Sequence, residues 1–160
     1  MADPHALVLD GVCWLFTGHD VGHGKADWVM PDWRIYRSHD LVNWEQAGTI
    51  NPSDCFMGSG NSGCWAGDIA VKDGLFYWYF SNRNTSIGVM VADNPAGPYH
   101  DILKKPLPDA VDPTVFIDED ATPYLIWGFG SYRIARLDKS MIELAEEPRI
   151  LEITPGREVP

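Results

Sequence analysis

Two Asp-Pro steps hold the acids of this sequence that are best placed for chemistry. Asp3-Pro4 opens the chain, and Asp112-Pro113 precedes Thr114-Val115-Phe116-Ile117, a run of β-branched and aromatic residues typical of a strand. Proline has no N–H for a sheet ladder, so it belongs at the first position of a strand. Each aspartate therefore stands at a strand entrance, where its carboxylate could exchange a proton, bind a polar ligand or cap the strand end.

Two further positions could contact a sugar. Trp65 stands just before Asp68, an unusual place for a core residue, and a tryptophan face beside a polar cleft is the usual stacking platform for a sugar ring. An ordinary core position is the alternative for Trp65. Asp20 lies in a glycine-flanked loop and could reach a sugar hydroxyl, with a solvated loop acid as its alternative.

A repeating unit is needed to position these acids. Three corners, at Asp10-Gly11, Asp73-Gly74 and Asp118, each separate two apolar runs, and Asp3, Asp68 and Asp112 precede them by 7, 5 and 6 residues. A third apolar segment then ends at Asp40, Asp93 or Asp138. The pattern predicts an all-β chain of antiparallel units with about four strands each.

Radial repetition of four-stranded units is the signature of a β-propeller. The predicted units cover residues 1–50, 65–108 and 109–160 of one domain that spans residues 1–160, and no stretch has sustained helical spacing. The innermost strand of each propeller blade lines the axis. Asp3, Asp68 and Asp112 are therefore expected to face one shared opening.

Composition limits the partners of the chain. Its 160 residues are 45% hydrophobic and 12% aromatic, which is typical of a globular domain. The net charge of −11 argues against nucleic acid and against an anionic membrane surface. No apolar run approaches the roughly 18 residues of a membrane span, and Met1-Ala2-Asp3 leaves no room for a signal peptide. We expect a cytoplasmic protein, or a secreted one where a leader has been removed.

No cofactor and no metal site are expected. The three cysteines lack CxxC spacing and agree with a reducing compartment, with a Cys55–Cys64 bridge as the alternative. His19 and His23 are four residues apart, a spacing that aligns metal ligands on a helix, but the neighbouring glycines disfavour a helix. A polar loop or a substrate contact is the better interpretation of this pair.

Four motifs occur in register along almost the whole chain. They are Ala2-Asp3-Pro4, Trp65-Ala66-x-Asp68-Ile69, Ile87-Gly88-Val89 with Asn94-Pro95-Ala96-Gly97-Pro98-Tyr99, and Val111-Asp112-Pro113-Thr114-Val115-Phe116-Ile117-Asp118. With them the chain resembles the N-terminal half of glycoside hydrolase family 43, the five-bladed propeller group of β-xylosidases, α-L-arabinofuranosidases and arabinanases. The resemblance implies about two and a half blades of a five-bladed propeller. It also implies inverting hydrolysis of O-glycosidic bonds in xylose- or arabinose-containing oligosaccharides.

The resemblance assigns roles to the matched residues. It implies that Asp3 is the general base and that Asp112 orients the catalytic acid and tunes its pKa. The family's Trp-Ala-Pro-Asp motif lines the sugar pocket, which carries over to Trp65, Ala66 and Asp68. Gly67 replaces the proline of that motif, so the backbone there is expected to be less constrained.

The resemblance also implies a third catalytic group, a glutamate before Gly-Pro in the next blade. No such motif occurs in these 160 residues, and the late candidate Glu158 is followed by Val159-Pro160 instead. The isolated chain is therefore expected to hydrolyse unactivated glycosides feebly. A non-catalytic sugar-binding half-propeller and a merely structural repeat protein are the alternatives to a hydrolase that lacks its acid.

An incomplete ring would expose the side faces of its first and last blades. Exposed apolar patches beyond a few hundred Å² usually mark an interface, and the chain has 7 Trp, 6 Tyr and 6 Phe to place. We therefore expect the chain to form a homo-oligomer or to depend on a complementary C-terminal half.

Overall fold

The structure is a computed structural model that describes residues 1–22 and 28–152. Within those ranges it consists of β-strands and one 3-10 helix, Pro52–Asp54. The strands are β1 (Ala2–Leu9), β2 (Val12–Gly18), β3 (Trp33–Ser38), β4 (Glu45–Ile50), β5 (Cys64–Lys72), β6 (Leu75–Asn82), β7 (Ser86–Ala92), β8 (Thr114–Ile117), β9 (Pro123–Trp127), β10 (Arg133–Arg136) and β11 (Arg149–Ile150). No helix in this part of the chain is long and apolar enough to span a membrane.

The strands form three antiparallel sheets in chain order. Strands β1 to β4 form the first sheet, β5 to β7 the second and β8 to β11 the third, and each strand pairs with the next along the chain. The prediction of an all-β chain built from antiparallel units is confirmed. Each sheet is a blade, and β1, β5 and β8 are the first strands of the three blades.

The middle blade differs from the predicted four strands. Its fourth position holds a single antiparallel bridge between Val91 and His100, with two backbone hydrogen bonds of 2.9 Å. Proline cannot donate to a ladder. Because Pro95 and Pro98 both precede His100, the segment after β7 pairs at one position and does not form a longer strand.

Asp-Gly corners close the first two hairpins, as predicted. Asp10 and Gly11 have φ of 49° and 77°, and Asp73 and Gly74 have φ of 52° and 78°. Two consecutive residues with positive φ make a type I′ turn, whose twist matches that of the flanking strands. Glycine adopts this conformation without a steric penalty, and aspartate is among the residues that tolerate it best.

Two hydrophobic cores hold the three blades together. Phe16, Trp33, Trp78 and Phe80 belong to the core between the first and second blades, and Trp127 to the core between the second and third. Burial of one such large side chain contributes about 1.5–3 kcal/mol. The middle blade is covered on both faces, which explains why every residue of β7 is buried.

The first strands of neighbouring blades touch each other. Strand β1 contacts β5, and β5 contacts β8. The inner edges of the three blades therefore meet along one line, and residues at the entrances of these strands come together there.

Candidate active site

A β-bulge lies at the entrance of the first strand of each blade, within β1 and β5 and just before β8. In the first blade, Asp3 and Pro4 are inserted between the pairs Ala2–Gly18 and His5–Phe16. In the second, Trp65 and Ala66 are inserted between Cys64–Asn82 and Gly67–Phe80. In the third, Asp112 and Pro113 lie between the Val111–Gly128 hydrogen bond and the pair Thr114–Ile126. Asp3, Trp65 and Asp112 therefore occupy equivalent positions.

The bulge explains why Asp-Pro steps mark this site. A bulge leaves its extra residue outside the ladder, so a proline there costs no hydrogen bond. Asp3 and Asp112 both adopt the left-handed backbone conformation, with φ of 47° and 53°. The Asp112 N–H donates a 2.9 Å hydrogen bond to the hydroxyl of Ser81, a buried residue of β6. This hydrogen bond fixes the backbone of the third blade, at Asp112, to the second blade.

The two bulged acids face one cavity of about 440 Å³. Asp3, Asp20, Trp65, Ala66 and Asp112 all line it, so five of the six predicted site residues lie together. The Gly22 N–H donates a 2.8 Å hydrogen bond to one carboxylate oxygen of Asp20 and holds it in a turn. Three blades contribute to the cavity.

Aromatic side chains form much of the cavity wall. Trp65 and Trp28 pack edge to face with ring centroids 5.3 Å apart, and the Trp65 indole N–H donates to the Trp28 carbonyl at 3.1 Å. The Trp33 indole N–H donates to the Trp65 carbonyl at 2.7 Å and anchors its backbone. Trp28 is 59% exposed and Phe129, also on the cavity, is 87% exposed. Apolar ring faces beside carboxylates suit a ligand that has both C–H faces and hydroxyl groups.

Sequence reasoning missed two of these aromatic residues. Trp28 and Phe129 lie outside the strands and reach the cavity from connecting segments. The available signal in the sequence was an aromatic residue in a connecting segment between two apolar runs.

The electrostatics of the cavity couple its two acids. Burial raises the pKa of Asp112 above the ordinary carboxyl value of 3.8, and the negative charge of Asp3 raises it further. Both causes disfavour the ionised form of Asp112. The bulges thus bring two like charges close enough to influence each other.

Asp68 does not lie where the sequence placed it. It does not line the cavity, it is 3% exposed, and its carboxylate accepts hydrogen bonds from Thr114 and Val115 at 2.7 and 2.8 Å. The prediction that three acids face one opening is therefore corrected to two acids and one tryptophan. The reason is the bulge, which brings Trp65 to the position equivalent to Asp3 and leaves Asp68 beyond it.

Gly67 is held tightly, although its proline counterpart is absent. A Cβ atom at this position would lie 2.5 Å from a ring carbon of Trp78 and 2.5 Å from the carbonyl oxygen of Tyr79. The expectation of a less constrained backbone left out the close packing of Trp78 and Tyr79 against Gly67. Close packing, and not a proline ring, fixes this part of β5.

His23 and Glu158, both considered as candidates from the sequence, lie outside the described residues. His19 lies within them, and its Nδ1 is 3.0 Å from a carboxylate oxygen of Asp32. Cys55 and Cys64 are free thiols.

The profile of glycosyl hydrolases family 43 matches residues 1–159. The chain belongs to this family. Its three described blades correspond to blades of the five-bladed propeller that family 43 enzymes share. The fold predicted from the repeats is therefore confirmed.

Known family 43 proteins resemble the chain along most of its length. A xylosidase/arabinosidase of Bacteroides ovatus is 29% identical over 96% of the chain, and an arabinoxylan arabinofuranohydrolase of Paenibacillus polymyxa is 32% identical over 81% of it. The structure of an α-L-arabinofuranosidase from Clostridium thermocellum superposes with a TM-score of 0.81 at 27% identity and covers 95% of the chain.

The match covers only part of each relative. The chain spans 59% of the Bacteroides ovatus protein, 25% of the Paenibacillus polymyxa protein and 56% of the Clostridium thermocellum structure.

Proposed function

We propose that the chain supplies the general base and the pKa-tuning acid of an inverting glycoside hydrolase that cleaves xylose- or arabinose-containing oligosaccharides. The observation that carries the proposal is the pair of equivalent bulges that direct Asp3 and Asp112 at one aromatic-walled cavity. The names of the relatives, a xylosidase/arabinosidase and an arabinoxylan arabinofuranohydrolase, support the substrate class.

The proposed reaction needs one carboxyl group on each side of the sugar ring. In an inverting reaction, a carboxylate takes a proton from water as the water attacks the anomeric carbon, while a carboxylic acid protonates the leaving oxygen. Asp3 is the carboxylate in this proposal. Asp112 stays close to the acid, and its charge raises the pKa of that acid so that it retains its proton until the bond breaks.

The sugar would bind through its C–H faces and its hydroxyls. Trp28, Trp65 and Phe129 offer apolar faces, and Asp20 offers a carboxylate oxygen at the same cavity. This division between stacking and hydrogen bonding is the usual way a protein site recognises a pyranose or furanose ring.

The acid itself would come from a complementary C-terminal half. Among the described residues, the side chains that line the cavity include no glutamate. Loss of a general acid costs roughly 10²–10⁴-fold for a poor leaving group. The chain alone should therefore favour substrates whose leaving group needs little protonation.

Hydrolysis of dinitrophenyl β-xyloside by the pure chain tests this function, because dinitrophenolate leaves without an acid. We expect slow release of the phenolate, initial formation of the α-anomer of xylose by proton NMR, and a fall of roughly 10²–10⁴-fold in Asp3→Asn. Glu147→Gln, an exposed carboxylate change outside the cavity, is the matched control and should keep the wild-type rate.

Xylobiose gives the complementary measurement. The pure chain should hydrolyse it far more slowly than the activated xyloside. Retention of configuration, or an Asp3→Asn rate equal to that of the wild type, would reject Asp3 as the base.

A sugar-binding half-propeller without catalysis is the second candidate. The exposed aromatic faces of Trp28 and Phe129 favour it, because they would serve binding whether or not the acids react. Calorimetric titration with xylotriose distinguishes the two: binding that is weakened by Trp28→Ala, together with no hydrolysis of the dinitrophenyl xyloside, would favour this candidate.

A further inference from the structure

Asp68 lies at the junction of all three blades. Its Oδ1 atom is 2.8 Å from Nε2 of His5 in the first blade. Its Oδ2 atom accepts the Thr114 hydroxyl at 2.7 Å and the Val115 N–H at 2.8 Å, both in the third blade. One buried carboxylate from the middle blade therefore bonds to both of its neighbours.

Two of these donors lie at the same sequence distance from the two cavity acids. His5 is the first ladder-paired residue after the Asp3-Pro4 bulge, and Thr114 is the first after the Asp112-Pro113 bulge. Asp68 thus accepts a hydrogen bond from the residue two positions after each acid. Both bulges are tied to the same pair of carboxylate oxygens.

We propose that Asp68 is a positioning residue that fixes the separation of Asp3 and Asp112 by bonding to the strand behind each of them. The reaction roles of the two acids rest on the function proposed above. The tie itself rests on the contacts of Asp68.

The burial of Asp68 shows why this tie is stiff. A buried carboxylate is stable only where donors replace the lost water, and removal of one partner of such a pair is strongly destabilising. Asp68 also accepts the Ile69 N–H at 2.7 Å, so four donors converge on its two oxygens. Any displacement of β1 or β8 relative to β5 would lengthen at least one of these bonds.

The coupling between Asp3 and Asp112 is the effect of the Asp3 charge on the pKa of Asp112. It depends on the distance between the two carboxyl groups and can be measured without substrate hydrolysis. The experiment is an NMR titration of the Asp112 carboxyl in the wild type, Asp3→Asn, Asp68→Asn and the double variant. In the wild-type background, Asp3→Asn should lower the pKa of Asp112, because the Asp3 charge raises it. In the Asp68→Asn background this downward shift should be smaller, since the acids are no longer held at a fixed distance. The cycle cancels the direct effect of the Asp68 charge.

Asp101→Asn is the matched control. Asp101 is also buried and also holds two backbone N–H groups, those of Phe56 and Lys104, at 2.8 and 2.7 Å. Its replacement should lower stability yet leave the Asp3–Asp112 coupling at its wild-type size. An equal shift in the Asp68→Asn and wild-type backgrounds would overturn the proposal.

Thr114→Val keeps the test decisive if Asp68→Asn does not fold. It removes the hydroxyl donor alone and should also reduce the coupling, whereas Thr114→Ser should restore it. Coupling of wild-type size in Thr114→Val would count against the tie. Because no rate enters these measurements, their outcome is independent of whether the dinitrophenyl xyloside is hydrolysed.

Discussion

At the scale of single residues, the site depends on two aspartates in a backbone conformation that few residues adopt. A left-handed non-glycine residue costs of order 1–3 kcal/mol, and Asp3 and Asp112 both carry this cost. The cost is tolerated because the bulge turns each side chain out of the ladder and towards the cavity. Backbone strain and charge repulsion are thus concentrated at the same two positions.

Asp112→Asn should stabilise the chain at neutral pH. The folded-state pKa of Asp112 is raised, so the folded chain holds this proton more tightly than the unfolded chain does. The contribution of Asp112 to wild-type stability therefore falls as pH rises from 3.8 through the raised pKa, and then levels off. Asparagine does not titrate, so the variant does not lose this stability as the pH rises. Urea unfolding across this range should show an advantage of the variant that grows with pH, and an advantage independent of pH would contradict the assignment.

Gly67→Ala should destabilise the chain by about 1–3 kcal/mol, the usual cost of overpacking. The added methyl group would meet the Trp78 ring and the Tyr79 carbonyl oxygen, each at 2.5 Å. Combining it with Trp78→Phe should reduce the penalty, because phenylalanine lacks the ring carbons that the methyl group meets. Urea unfolding of the double-mutant cycle measures this, and strictly additive effects would disprove the Trp78 contact.

The sequence predicted the two acids of the site better than it predicted their surroundings. The Asp-Pro steps are local signals of a bulge, and Asp3 and Asp112 could be read from them. The place of Asp68 could not be read, because it depends on where β5 shifts its register against β6. Trp28 is positioned by tertiary contacts: the neighbouring Met30 bridges to Gly63 in another loop, which no local pattern reveals.

At the scale of strands and sheets, neighbouring blades are joined by cores and by the polar tie at their inner edges. The hairpins were predictable since their Asp-Gly turns and alternating strands are local features. The short fourth position of the middle blade was not predictable. It depends on how Pro95 and Pro98 limit the pairing after β7 to the single bridge between Val91 and His100.

The bond between His5 and Asp68 should make the junction of the first two blades sensitive to pH. The hydrogen bond to Asp68 is the main cause that raises the pKa of His5 above 6.5; burial lowers it, and the Asp68 charge raises it further. The stability that this pair contributes is therefore complete below pH 6.5 and is lost as pH rises through the raised pKa. His5→Gln should thus lose most stability at mildly acidic pH and least at alkaline pH.

Urea unfolding over this pH range measures the difference between His5→Gln and the wild type. His39→Gln, at an exposed turn after β3, is the matched histidine control and should differ little from the wild type throughout. A stability loss in His5→Gln that stays constant from acidic to alkaline pH would show that the imidazolium form has no special role.

At the scale of the whole molecule, the first and third blades each have a face that no other part of residues 1–22 and 28–152 covers. In the third blade, the cross-strand pairs Phe116–Tyr124 and Ile126–Ile134 lie on the face opposite the core, and the Phe116 and Tyr124 rings stack with centroids 6.0 Å apart. In the first blade, Val8 is 71% exposed on the corresponding side. A closed propeller would cover these faces with further blades.

We expect the pure chain to associate with itself at micromolar concentration through these faces. Aromatic and aliphatic side chains in register on one sheet face form the kind of patch that usually marks an interface. Such a dimer would still lack a glutamate at the described cavity, so it should be a structural solution and a poor catalyst. Sedimentation equilibrium measures the association.

Phe116→Glu should shift the equilibrium towards monomer, because a buried, unpaired carboxylate opposes contact between apolar faces. Val42→Glu, at an exposed turn of the first blade, is the matched charge control and should leave association unchanged. A wild-type chain that remains monomeric and melts cooperatively would show that the three blades are stable with their side faces in water.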